Sequence, residues 1–342
     1  MCKDRVNTFA KALICLYYSH QRCLMKSTNN VGLYPNIDVI IPTLNCEFQL
    51  EQCLKSIRKQ IYDGIIEITI IDGGSTDNTI KVASKYGAVV IVKEGMYGTG
   101  KNGARHFGEL ITKNPIVWNI DSDNILVEDL VASQLVDQLI YDNSINIVIP
   151  ETAIDINSSK LNKWISKDEI INVNRMKNKA YRKGEVYVLE DMDYGLTNCA
   201  MIRRSILQMV GGYDSDVRLL LRMRKLQIAK VAIVSSAHFY HNQVNSFSDL
   251  VRKWDRRIKL FGEFDLKDFS EYFVDYPINS YDHRRLQLTP LKTILKNVVA
   301  IFSSPFKNRD SVNIWPFLNI LLILILFVKH PNKFLKLYTQ FL

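Results

Sequence analysis

Two apolar runs, each stopping abruptly on an aspartate, constrain what this chain can become more than any other feature. The first reads Ile68-Thr69-Ile70-Ile71-Asp72-Gly73-Gly74-Ser75-Thr76-Asp77, and the second reads Ile116-Val117-Trp118-Asn119-Ile120-Asp121-Ser122-Asp123. Both apolar runs have the length of a buried strand. In open α/β sheets, ligands collect outside the carboxyl ends of strands. These aspartates are therefore placed for chemistry, and the pair of clusters is read as holding a nucleotide diphosphate and its metal ion.

The surrounding pattern supports an α/β fold. A strand over 38–41 is halted by Pro42, and Leu50, Cys53, Leu54 and Ile57 then fall at the i, i+3, i+4, i+7 spacing of a one-faced helix. Thr76 and Asp77 can cap a helix running to Tyr86, which Gly87 ends, and a third strand covers 88–92. A glycine-rich loop precedes a helix packing Ala104, Phe107, Leu110 and Ile111, and the strand at 116–120 follows. A helix over 130–140 and a strand over 145–149 complete the alternation, which implies right-handed crossovers and a mostly parallel sheet. From 151 to 183 the pattern weakens into lysine and asparagine, so this segment is expected to be exposed and mobile. Order resumes at 186–189, a helix at 216–226 and a strand at 230–234 that leads to His238 and His241.

The 342 residues divide into an extension (1–36), an α/β domain (37–245) and a helical C-terminal part (246–342). A hydrophobic content of 47% excludes a disordered chain. The net charge of +9 suits an anionic partner, although charge alone favours a merely basic soluble surface. Six cysteines without a C-x-x-C pair argue against a zinc site and a disulfide framework. In the tail, Leu291, Ile294, Leu295, Val298, Val299 and Phe302 mark an amphipathic helix. The apolar segment at about 314–328 spans roughly 22 Å as a helix, short of the roughly 30 Å hydrocarbon core. With Lys329, His330, Lys333 and Lys336 behind it, it is expected to dip into a membrane surface; burial against the protein is the other reading.

Two aspartates one residue apart at a strand end can share a divalent cation with a diphosphate, because their hard oxygens suit Mg²⁺ or Mn²⁺. Asp121-Ser122-Asp123 meets that need. Pro42-Thr43-Leu44-Asn45, Asp72-Gly73-Gly74-Ser75-Thr76-Asp77-Asn78-Thr79, Ala104-Arg105-His106-Phe107-Gly108, Asp121-Ser122-Asp123 and Gly211-Gly212-Tyr213-Asp214 follow one another in order. Together they resemble glycosyltransferase family 2, inverting enzymes of the GT-A fold that use nucleotide-diphospho-sugars. The resemblance covers roughly 38–241.

It implies that Pro42, Thr43 and Asn45 line the nucleotide pocket, that Asp72 meets the base or ribose, and that Ser75 and Asp77 shape the same turn. Arg105 would stand near the nucleotide, where a guanidinium can pair with phosphate oxygens. Asp121 and Asp123 match the family's Asp-x-Asp, with Asp123 the direct metal ligand, and His241 rather than His238 would complete the metal site. The chain also departs from the family. His106 stands where members often carry Asn, and the Glu-Asp pair expected beyond Gly-Gly-Tyr-Asp is reduced to Ser215-Asp216. Asp216 is thus the first candidate for the base that removes the acceptor proton, with Asp191 and Asp193 as rivals.

The resemblance, taken with the tail, implies a metal-dependent inverting glycosyltransferase, expected to act on a lipid-linked or polyisoprenyl-phosphate acceptor and to be membrane-associated on the cytoplasmic face, with no nucleic acid partner. Two alternatives stand beside it. A sugar nucleotidyltransferase should show a glycine-rich basic loop after its first strand, which Pro42-Thr43-Leu44-Asn45 is not. A non-catalytic module derived from a transferase would tolerate the altered Glu-Asp region.

Overall fold

The computed structural model describes residues 34–93, 100–190, 198–213 and 216–252, with 325, 328 and 329. Among the described residues, the core is one sheet of ten strands. Strands β1 (Ile37–Thr43), β2 (Ile66–Asp72), β3 (Val89–Val92) and β4 (Ile116–Asn119) form the first half, and all their mutual pairings are parallel. Helices α1 (Glu47–Arg58), α2 (Thr79–Lys85) and α3 (Gly100–Ile111) make the crossovers.

The second half is mixed. It contains β5 (Asn124–Leu126), α4 (Val131–Tyr141), β6 (Ile147–Ala153), α5 (Lys160–Lys177), β7 (Tyr181–Lys183) and β8 (Val186–Leu189). It ends with β9 (Ala200–Arg203), α6 (Arg204–Met209), α7 (Asp216–Lys225) and β10 (Val231–His241). The order is β3-β2-β1-β4-β9-β6-β10-β8-β7, with β5 on β10. β9 inserts antiparallel between β4 and β6, and β8 and β5 also run antiparallel to β10. A mostly parallel sheet therefore describes the first half only.

Successive side chains of a strand point to opposite faces. Along β1, Val39 and Ile41 join the cluster of Leu50, Cys53 and Leu54 from α1 and Leu135 from α4. Ile40 joins Ala104 of α3, Val173 of α5 and Leu220 of α7 on the other side. Because both faces are covered, the strands read as unbroken apolar runs. Helix α3 comes so close to β1 that a Cβ on Gly108 would lie 2.5 Å from Ile40 Cγ2.

The segment 151–183 corrects the expectation of an exposed, mobile stretch. Eighteen of its residues form α5, whose N-cap Ser159 accepts a hydrogen bond from Asn162 N. Val173 and Met176 bury its inner side, and Lys177 pairs with Glu151 of β6 at 2.6 Å. Among the described residues, no helix is long and apolar enough to cross a membrane. The apolar tail lies almost wholly outside the described residues, as does nearly all of the N-terminal extension.

Candidate active site

The register of the sheet assembles the site. β1 pairs with β2 so that Thr43 lies opposite Asp72, and with β4 so that Ile40 lies opposite Asn119. The turns after these three strands therefore share one sheet edge. In the first two, Thr43 Oγ1 donates to Asp72 at 2.7 Å, and Asp72 also accepts from Gly74 N, Ser75 N and Ser75 Oγ at 2.6–3.0 Å. A carboxylate has about four acceptor positions. Asp72 is fully buried with all four filled from within, so it builds the turn instead of meeting a base or ribose itself.

What this turn presents is Ser75 and Asn45. Ser75 Oγ accepts from Asn45 N at 2.8 Å, and Asn45, in the left-handed region at φ 48°, accepts from Thr76 N at 2.8 Å. Asp77 is shared by two helices, taking Thr79 N at 3.0 Å and Glu47 N at 3.2 Å. Pro42 continues β1 opposite Ile71.

The second cluster is a closed turn. Asn124 N donates to Asp121 O at 3.0 Å, while Asp121 N donates to the Asn124 side chain at 2.9 Å. Asn124 then begins β5, whose antiparallel register on β10 sets it opposite His241. This pairing brings distant parts of the chain together. Asn242 N donates to Asp123 O at 2.9 Å, and His241 Nε2 lies 3.4 Å from Asp123 Oδ1. One ligand atom each from Asp121, Asp123 and His241 fall within 4.8 Å of one another.

Two carboxylate oxygens and one imidazole nitrogen at this spacing fit Mn²⁺ or Mg²⁺, and the nitrogen suits Mn²⁺ better. Asp123 and His241 are the better placed ligands, because Asp121 is already engaged by Arg105 at 2.5 Å and Lys101 at 2.8 Å. Burial alone would raise the Asp121 pKa, but Arg105 and Lys101 reverse this and hold it well below the usual carboxylate range. Burial likewise would lower His241, yet Asp123 and Glu169 raise it to about 9, so the ion-free ring carries a proton between two carboxylates. A divalent cation would replace that proton on Nε2.

Arg105 differs from its expected role. It is 1% exposed, and its guanidinium is held by Asp121 and, at 2.8 Å, by the Tyr213 hydroxyl. It fixes Asp121 and does not stand open to a phosphate. Lys101, one helical turn earlier on α3 and 53% exposed, is the cation placed to meet an anionic ligand. Tyr213 is held in turn by the Gly211-Gly212 turn, with its backbone N donating to Glu109 at 2.9 Å. Gly212 has φ +88°, and a Cβ there would collide with His106 Cε1.

His238 stands apart from the cluster, bonded through Nδ1 to Glu128 at 2.8 Å. Asp216 opens α7, whereas Asp191 and Asp193 lie outside the described residues. Sequence reasoning missed Lys101, Asn124, Asn198 and Glu169. The Asn198 amide nitrogen sits 3.1 and 3.3 Å from the two ring nitrogens of His241. It is carried there by the turn into β9, which Trp118 anchors by donating to Cys199 O at 3.1 Å.

The model of glycosyl transferase family 2 matches residues 38–211, about half of the chain, including the Asp72 turn, Arg105, Asp121 and Asp123 but not His241. The chain belongs to glycosyl transferase family 2. Among curated proteins, an N-acetylglucosaminyltransferase of Azorhizobium caulinodans is 36% identical over 104 residues, covering 29% of this chain and 26% of its own. A probable glycosyltransferase of Bacillus subtilis, YdaM, is 24% identical over 224 residues, covering 61% and 51%. The chain thus spans from about a quarter to half of these relatives' lengths. The mannosyltransferase PcManGT of Pyrobaculum calidifontis, solved with GDP-Man and Mn²⁺, superposes with a TM-score of 0.52 at 16% identity. That match covers 96% of this chain and 91% of the other, and it shows a shared fold.

Proposed function

We propose that this family 2 chain transfers a sugar, with inversion, from a nucleotide-diphospho-sugar to a lipid-linked or polyisoprenyl-phosphate acceptor in a metal-dependent reaction. The observation that carries this reading is the convergence of Asp121, Asp123 and His241 within 4.8 Å, at the sheet edge that also bears the Asp72 turn. The GDP-Man and Mn²⁺ bound by PcManGT are consistent with such a site.

Asp123 and His241 would hold the cation, with Asp121 beside them. Bound there, Mg²⁺ or Mn²⁺ supplies positive charge to the diphosphate and makes it a better leaving group. Arg105 keeps Asp121 ionised and aimed at the site. Lys101 can turn from Asp121 to a phosphate oxygen without being dug out of the core. The Ser75–Asn45 turn, braced by Asp72, Thr43 and Asp77, forms the floor against which the nucleoside lies. A carboxylate must take the acceptor proton on the face opposite the leaving group; Asp216 leads the candidates, ahead of Asp191 and Asp193.

The acceptor and location rest on the sequence of the tail. Its apolar segment at 314–328 and the lysines behind it would keep the site beside a cytoplasmic membrane face. The test is transfer from radiolabelled nucleotide sugars to membrane lipid extracts with Mn²⁺ present. Asp123→Ala should lower transfer by about 10²-fold or more, in the range lost with one transition-state charge contact. Full transfer by that variant would remove Asp123 from the mechanism.

A further inference from the structure

We propose that Glu169 is a positioning residue that aims His241 at the cation, making α5, which bears none of the five sequence motifs, part of the metal site. This rests on the cation reading given above. His241 Nδ1 lies 2.8 Å from Glu169 Oε1, while Nε2 faces Asp123 Oδ1 at 3.4 Å. An imidazole ligand offers one nitrogen to its metal, and the partner of the other fixes the tautomer and the ring plane. Gln243 Nε2 also lies 2.9 Å from Nδ1, and the Asn198 amide nitrogen lies 3.3 Å from Nε2. The carboxylate of Glu169 is the one acceptor among these groups, so Nδ1–H donates to it and Nε2, facing Asp123, is the nitrogen offered to the ion.

The arrangement is braced on several sides. Gln243 Nε2 donates to the same Glu169 oxygen at 2.5 Å, which prevents the carboxylate from swinging away. The side chains of His241 and Glu169 are only 10% and 16% exposed, so water competes little for the contact. Helix α5 also grips the backbone of the histidine. Asn162, in its first turn and 1% exposed, donates to His241 O at 3.1 Å and to the Asn242 side chain at 3.0 Å, and accepts from Val244 N at 3.3 Å. Glu169 follows two helical turns later on the same face. One helix therefore fixes both the main chain and the ring of the ligand, and the Lys177–Glu151 pair ties its far end to β6. A carboxylate meant only to stabilise α5 would need no histidine whose second nitrogen points into a cluster of aspartates.

The test is a titration of the full chain with Mn²⁺ alone, followed by calorimetry. Glu169→Ala should weaken Mn²⁺ binding roughly 10- to 100-fold, the usual cost of losing the partner of a ligating histidine. Glu169→Gln keeps an oxygen that can accept from Nδ1–H and should recover most of that loss, which shows that the acceptor and not the fold was at issue. In a His241→Ala background, Glu169→Ala should change Mn²⁺ affinity less than about twofold, since no ring remains to be aimed. Equal weakening in both backgrounds would overturn the proposal in favour of direct ligation or a general structural role, and unchanged affinity in Glu169→Ala would overturn it outright. If wild-type protein binds no Mn²⁺, the cation reading fails first, before any variant is compared, and this inference falls with it.

Discussion

Replacing Arg105 by methionine asks whether this guanidinium holds the site together or serves a ligand. The substitution keeps an apolar stem of similar length and removes the charge. Arg105 is 1% exposed, and the change would break its 2.5 Å pair with Asp121 and its 2.8 Å bond to Tyr213. Truncating one partner of a buried pair costs about 3–5 kcal/mol, chiefly because the other charge is stranded. Asp121 would keep Lys101, which is half exposed and a weaker partner, so the lower end of that range applies, about 3 kcal/mol. For a domain of this size that is roughly 6–12 °C in Tm.

Lys101→Met is the internal control. It removes the other cation on the same carboxylate from a solvated position and should cost less than about 1 kcal/mol. Urea unfolding of the two variants beside the wild type gives the comparison. The sign with pH also follows. A depressed carboxylate pKa gives stability that is present above the unfolded value of about 4 and lost as pH falls through the folded value. The deficit of Arg105→Met should thus be widest near neutral pH and should narrow on acidification, as the stranded Asp121 takes up a proton. Equal costs for the two variants, or a loss below about 1 kcal/mol for Arg105→Met, would refute the reasoning.

Two further outcomes follow from the geometry. Gly212→Ala combines a left-handed φ, costing about 1–2 kcal/mol, with a contact on His106, so in a urea double-mutant cycle His106→Ala should relieve the second part and leave the first; an identical cost in both backgrounds would contradict this. His238 is raised above its ordinary pKa chiefly by its hydrogen bond to Glu128. Its contribution is therefore complete below about pH 6.5 and is lost as pH rises through the folded value, so His238→Gln should flatten that limb of the stability profile. A profile that keeps its slope in the variant would assign the titration to another group.

The first half of the fold was legible because β1, β2 and β4 are buried on both faces and the helices beside them on one. Unbroken isoleucine and valine runs and the Leu50-Cys53-Leu54-Ile57 stripe carry that information locally. The position of β9 between β4 and β6 leaves no local trace, since it depends on pairing between Trp118 and Met201, far apart in sequence. α5 was hidden by its own polarity. Its lysines and asparagines mask a sparse inner stripe through Leu161, Ile165, Val173 and Met176, and Glu169 lies on that side of the helix. Ser159 ahead of this stripe was the available signal. The aspartates of the site could be read from their place at strand ends, but their division of labour could not. Whether Asp72 and Arg105 face a ligand or the protein depends on burial and on partners such as Ser75 and Tyr213, which only the folded chain supplies.

The most direct test of the account is calorimetric titration of the full chain with uridine or guanosine diphosphate, with and without Mn²⁺. The account predicts that Mn²⁺ tightens binding of at least one of the two by about tenfold or more, and that Asp123→Ala loses this dependence. Equally strong binding with and without the ion in the wild type would contradict it.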